Sequence, residues 1–145
     1  MTDDALTKAL EQETAAITAM QNGDPGPMID FWADSDDITL FGGWVPIEKG
    51  HKAVTGAMRM IGSRFTGADA VDLEHTVIAS SGDLAYTVGF ERSRVSVQGG
   101  PPRDMVIRVT HVYRRIDGDW KLVHRHSDFP TPEEPITEEP IIPAR

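Results

Sequence analysis

Three of the five histidines, His111, His124 and His126, lie in one stretch, Ile107 to Phe129, which reads IRVTHVYRRIDGDWKLVHRHSDF. An imidazole titrates near neutrality, so two of them spaced two residues apart, with Asp128 one step beyond, supply the parts of an acid–base site. In such a site Asp128 or Arg92 orients the ring or holds an anionic group. The same three imidazoles have a second chemistry available, since two on one strand and a third on its neighbour can hold a zinc ion whose fourth position stays open. A third reading has no chemistry in it, because strand histidines also bond backbone carbonyls or line a sheet. The set carried forward is His124, His126, Asp128, His111 and Arg92 as acid–base residues, with no metal and no cofactor.

Positioning that set is the task of two paired strands. Asp117-Gly118 is a two-residue hairpin turn of the kind that accepts positive φ, which places Ile116 opposite Asp119. Uninterrupted pairing outward from there puts His111 across from His124. Alternation then gathers Ile107, Val109, His111, Tyr113, Trp120, Leu122, His124, His126 and Asp128 on one face, with Arg108, Thr110, Arg114, Lys121, Arg125 and Ser127 on the other. For the preceding strand, setting Val88 opposite His111 pairs Phe90 with Val109, Tyr86 with Tyr113 and Glu91 with Arg108. This register keeps Glu91 off the core face and turns Arg92 to the side of His111.

The rest of the chain supplies a cover. Leu6, Leu10, Ile17 and Met20 recur at helical spacing within residues 3 to 22, with Thr2 or Asp3 as a cap and Gly23 as the stop. Asp24-Pro25 opens a short helix through Met28, Ile29, Phe31 and Trp32. Ile38 to Phe41 form a brief strand ended by Gly42-Gly43, and Val54, Met58, Ile61 and Phe65 make the stripe of a third helix. From Val71 the pattern changes to strands, with turns at Ser81-Gly82-Asp83, Gln98 to Pro102 and Asp117-Gly118. Three helices followed by a curved antiparallel sheet make an α+β design with the helices on one face and a pocket between the layers. Trp32, Phe41, Trp44, Tyr86, Phe90 and Tyr113 are the candidate walls for a small apolar molecule, Trp44 as a movable flap beside two glycines. Trp120 and Leu122 are packing residues; His51 is a surface residue or rim donor. Asp34, Asp36 and Asp37 lack the alternation of a calcium loop and suit turns and caps instead.

Length and charge bound the remainder. The 145 residues suit one domain over 1–129, followed by an extended tail, 130–145, in which prolines alternate with glutamates and Ile136, Ile141 and Ile142 pin it to a surface. A net charge of −9 without any basic block argues against nucleic acid as a partner. No apolar run is long enough to span a bilayer, and MTDDALTKAL lacks the features of a secretory signal, so the expected location is cytoplasmic. With no cysteine there is no disulfide and no thiolate chemistry.

In order along residues 3 to 129, the segments NGDPGP, ADSDDITLFGGW, KGHKAV, GDLAYTVGFER and RVTHVYRRIDGDWKLVHRHSD resemble the SnoaL-like branch of the nuclear transport factor 2-like superfamily, also called ketosteroid-isomerase-like or cystatin-like. The resemblance implies a conical α+β barrel with a pocket at its open end, often a homodimer through the outer face of the sheet. It also implies a host for isomerases, cyclases, hydrolases or non-catalytic binding modules, so the fold does not choose the function. Ketosteroid isomerases use a carboxylate base, a tyrosine and a protonated aspartic acid. Here Phe41-Gly42-Gly43 supplies no base, Ala16 and its neighbours supply no tyrosine, and His111 or Thr110 stands where the second acid belongs. The expectation is a small-molecule-binding protein, with cofactor-independent isomerase, cyclase or hydratase chemistry as the enzymatic version and a plain binding or oligomerisation module as its alternative.

Overall fold

The computed structural model describes residues 4–130, so the Thr2 or Asp3 cap and the body of the Pro/Glu-rich tail lie outside the described residues. Helix α1 (Asp4–Gln21) buries Leu6, Leu10, Ile17 and Met20 as its spacing predicts, together with Glu13. Gly23 ends it at φ 92°, a conformation that costs glycine little and other residues more. The Asp24 carboxylate accepts the Gly26 N–H at 3.0 Å at the start of α2 (Gly26–Phe31). Phe31 and Trp32 are then almost fully buried, each contributing about 1.5–3 kcal/mol of apolar transfer. Strand β1 (Thr39–Phe41) follows, then a two-residue strand β2 (Glu48–Lys49) where only a loop was expected. Helix α3 (His51–Arg64) buries Val54 and Met58 on its stripe; Phe65 caps it and begins the sheet's longest strand. None of the helices among the described residues is long and apolar enough to cross a membrane.

The sheet runs β2-β1-β6-β5-β4-β3, where β3 is Phe65–Ser81, β4 Leu84–Val97, β5 Arg103–Ile116 and β6 Asp119–Asp128. Strands β3 to β6 form the antiparallel meander that the turn signals predict. The pairing of β1 is parallel and joins Leu40 to Arg125, so the sheet's first strand in the chain sits against its last. Gly89 on β4 allows β3 to approach: a Cβ there would lie 1.9 Å from the Glu74 carbonyl oxygen, beside a bulge between His75 and Val77.

Two registers differ from those expected. The hairpin itself is as predicted, with positive φ at Asp117 and Gly118 and with Ile116 opposite Asp119. However, Tyr113 pairs with Leu122 while Val112 pairs with His124, leaving Val123 as the extra residue of a β-bulge. Beyond it every side chain changes face. His111 therefore lies across from Arg125, and Arg125 and Ser127 join it on the inner face while His124, His126 and Asp128 turn outward. On the other side of β5 the pairing is offset by one residue, with Thr87 opposite His111 and Gly89 opposite Val109. Glu91 thereby falls on the core face, 3% exposed, and Arg92 points out to a 3.5 Å contact with Glu74. Keeping the carboxylate out of the core was a sound rule for an unpaired charge, and Glu91 is not unpaired.

Candidate functional site

Strands β4, β5 and β6 and helix α1 deliver polar residues to one buried chain. Arg125 grips Glu91 through both forks, Nη1 to Oε2 at 2.5 Å and Nη2 to Oε1 at 3.0 Å, and donates a further bond from Nη1 to His111 Nε2 at 2.9 Å. A guanidinium has no lone pair to offer, so Nε2 is the acceptor and the ring proton resides on Nδ1. That nitrogen faces the Tyr113 hydroxyl at 3.1 Å and makes close contact with Glu13 Oε1. Tyr113 in turn donates to Glu13 Oε2 at 2.5 Å and lies 3.1 Å from Thr87 Oγ1. Glu13, Tyr113, His111 and Thr87 are all buried to 98% or more.

The electrostatics follow from that enclosure. Burial acts to raise the Glu13 carboxyl, but the adjacent His111 and the hydrogen bonds from His111 and Tyr113 outweigh it and hold the group below the ordinary carboxylate value. Burial, and next the neighbouring Glu13 carboxylate, push the Tyr113 phenol far above its ordinary value. For Arg125 burial is unfavourable to the charge, yet Glu91 more than offsets it and the guanidinium is held more firmly protonated.

Above this chain, between the three helices and the inner face, is a cavity of about 80 Å³, enough for several water molecules. Its walls include Met20, Met28, Met58 and Met105, with Trp44 and Phe65 in tilted contact at 5.2 Å and Arg64 lying 5.2 Å over the Trp44 ring. Glu91, Arg125 and Ser127 form its polar floor. Gly43, Asp128 and the half-exposed Phe129 are its most open lining residues and mark the mouth. Methionine suits such a wall because its unbranched thioether fits irregular shapes.

Of the expected site residues, the structure brings two to this cavity, Trp44 in the wall and Asp128 at the mouth. His111 belongs to the chain below it. His124 and His126 stand on the outer face with Phe41, their rings 6.3 Å apart, and His124 Nδ1 meets Thr39 Oγ1 at 2.6 Å. Burial first, then the nearby His126 and His111, lower the His124 pKa, against the effect of its bond to Thr39. Because His111 is on the opposite face, the three imidazoles do not converge. Among the described residues no group of three His, Cys, Asp or Glu side chains has the geometry to hold a metal ion. Asp128 is engaged by Arg108 through two bonds of 2.6 and 2.7 Å. Trp32 is packed in the core, Tyr113 is in the buried chain, and Tyr86 and Phe90 face outward with Arg92, none of them lining the cavity. Asp37 makes two bonds to Arg114, at 3.0 and 3.1 Å, in keeping with a turn role for the acidic loop. His51 is a surface residue 3.8 Å from Asp34.

Three functional candidates escaped the sequence reading. Glu13 occupies the empty position of the stripe Leu6, Leu10, Ile17, Met20, and a charge on an apolar stripe was the available signal. Leu122 and Val123, adjacent and both buried, were the signal of the bulge that carries Arg125 inward. Glu91 had no signal apart from the partner it was not known to have.

A family model described as a SnoaL-like domain matches residues 11–132. No curated protein matches the chain. Among solved structures, a nuclear transport factor 2-like superfamily protein from Salmonella enterica superposes with a TM-score of 0.74 at 16% identity, covering 92% of this chain and 94% of that one. A ketosteroid isomerase-like protein from Erwinia carotovora atroseptica gives 0.73 at 16% identity over 90% and 100%. A protein with a cystatin-like fold from Nostoc punctiforme gives 0.67 at 21% identity over 90% and 96%. At these identities the likeness concerns the fold.

Proposed function

Starting from a chain that belongs to the SnoaL-like domain family, we propose that it binds a small, largely apolar organic molecule in the cavity between the helices and the inner face of the sheet. The observation that carries this reading is a methionine-walled space of about 80 Å³ closed below by the Glu91–Arg125 pair. A cavity lined mainly by apolar side chains with a few fixed polar groups is the usual form of a small-molecule site. The test fills the space. Ile61→Trp and Met58→Phe, both on α3 and both lining the cavity, are expected to abolish binding of an apolar probe such as acetophenone while the far-ultraviolet dichroism stays native. Undiminished binding in both variants would locate the ligand elsewhere.

A second reading, proton transfer on the bound molecule, is favoured by the placing of Glu91 and His111 on either side of Arg125. Acid–base work by His124 and His126 belongs instead to the outer face, where a groove of about 400 Å³ holds His126, Asp128, Arg108 and Thr110. Turnover that survives Glu91→Gln but not His124→Gln with His126→Gln would favour that outer site. The outer face also supports homodimerisation, since Val77, Tyr86 and Val88 are 40%, 45% and 38% exposed there.

A further inference from the structure

Arg125 has five N–H groups, and the described residues account for three of them: two from Nη1, to Glu91 and His111, and one from Nη2, to Glu91. The Nε–H and the second N–H of Nη2 have no protein acceptor among the described residues. Nε is not among the buried polar atoms that are sealed off without a partner, and the side chain lines the cavity. A donor of this kind is fixed in advance, because the fork is held by Glu91 on one side and by the His111 ring on the other.

Charge then selects among acceptors. The cavity lining contains two carboxylates, Glu91 and Asp128, and one basic side chain, Arg125. Glu91 consumes the Arg125 charge, and Arg108 consumes that of Asp128 at the mouth. An incoming carboxylate or phosphate would therefore meet a lining with no net positive charge, at a depth where screening by water is weak. A neutral oxygen meets no such opposition.

We propose that the ligand is a neutral carbonyl compound, its apolar body among the methionines and its carbonyl oxygen accepting from the unused N–H groups of Arg125. This rests on the cavity being the binding site. Arg125 is then the residue that determines specificity, and His111 is a positioning residue that holds the guanidinium in place.

Three probes of nearly equal size separate the possibilities: acetophenone, benzoate and ethylbenzene, with dissociation constants measured at neutral pH by ligand-observed nuclear magnetic resonance on the full chain. Acetophenone is expected to bind about tenfold more tightly than either of the others, the scale of one hydrogen bond to a charged group. Arg125→Lys, which keeps the charge and loses the fork, is expected to cut the preference over ethylbenzene severalfold. The double variant Glu91→Gln with Arg125→Met removes the buried pair together, so that neither charge is stranded, and is expected to erase it. Benzoate binding as tightly as acetophenone, or a preference that survives the double variant, overturns the proposal while leaving the cavity as the site. If none of the three binds, or if binding persists in Ile61→Trp, the cavity reading itself fails and this inference with it.

Discussion

Glu13 is the residue on which the interior turns, because it is the one acceptor within reach of both Tyr113 and the protonated nitrogen of His111. Replacing it by leucine leaves Tyr113 only the Thr87 hydroxyl and His111 Nδ1 only the Tyr113 hydroxyl as acceptors, and the loss of the charged acceptor is expected to be about 1.5–3 kcal/mol in chemical denaturation, with Tyr113→Phe costing about 1 kcal/mol. The pH dependence has a definite sign. A carboxyl held below its unfolded value when folded stabilises the protein above that unfolded value, and the contribution disappears as pH falls through the folded value. Acid unfolding should therefore be steeper in the parent than in Glu13→Gln, measured by urea titrations between pH 6 and pH 3. Tyr113 acts at the other end: its raised value means stability drains away as pH climbs past about 10, and Tyr113→Phe should flatten that limb. Identical slopes in parent and variants would show that these groups are not coupled to folding. Residue types were legible in the sequence, but their partnership was not. A carboxylate on a helix, a tyrosine and an imidazole reveal their association only when the helix has been laid on the sheet.

At the scale of the element, the bulge at Val123 decides which side chains the cavity receives. The turn at Asp117-Gly118 and the pairing next to it were readable because positive φ and loop length constrain them locally. A single extra residue in a strand obeys no comparably local rule, and it moved His124 and His126 from one face to the other. Deleting Val123 is expected to remove the bulge and keep the facing, since Leu122 still pairs with Tyr113, His124 with Val112 and the inward Arg125 with His111. The cost should be that of the buried Val123 side chain, about 1.5–3 kcal/mol in chemical denaturation, with the Arg125-dependent ligand preference retained. Gly89 is the companion constraint on the neighbouring strand. Gly89→Ala requires the Glu74 carbonyl to move, so a marked fall in melting temperature is expected, against a small rise for Gly56→Ala inside α3, where a Cβ meets nothing within 4 Å and alanine favours the helix. The helices, the meander and the fold class were legible because period and turn chemistry repeat along many residues. The short strand β2 and the parallel pairing of β1 were not, since two or three residues carry little period and their partner is remote in sequence.

For the whole molecule, one face of the sheet is committed to the helices and the cavity, and the other remains open. That open face alternates apolar side chains with cross-strand ion pairs, Arg92 to Glu74, Arg108 to Asp128 and Arg94 to Asp104. As a homodimer surface it should be sensitive to a charge placed among its apolar residues. Val88→Lys is expected to shift the sedimentation of a dimeric parent toward a single 15.9 kDa species, leaving acetophenone binding intact. A parent that sediments only as the 15.9 kDa species at micromolar concentration ends the dimer proposal. Apart from Trp44, the aromatic residues expected to wall the pocket went instead to this outer face and to the core. Aromatic type alone does not distinguish a pocket wall from an interface, and the strand offset that did so was invisible in the sequence.

The parallel seam between β1 and β6 has a temporal meaning. Leu40, in the cavity wall, is aligned with Arg125, in its floor, across most of the chain's length. Bringing such distant residues together incurs a loop-closure cost before any contact repays it, which places the event late in folding. On the ribosome, helices and hairpins emerge with their own neighbours already at hand, yet the cavity lacks Arg125 in its floor until β6 has been released and paired with β1.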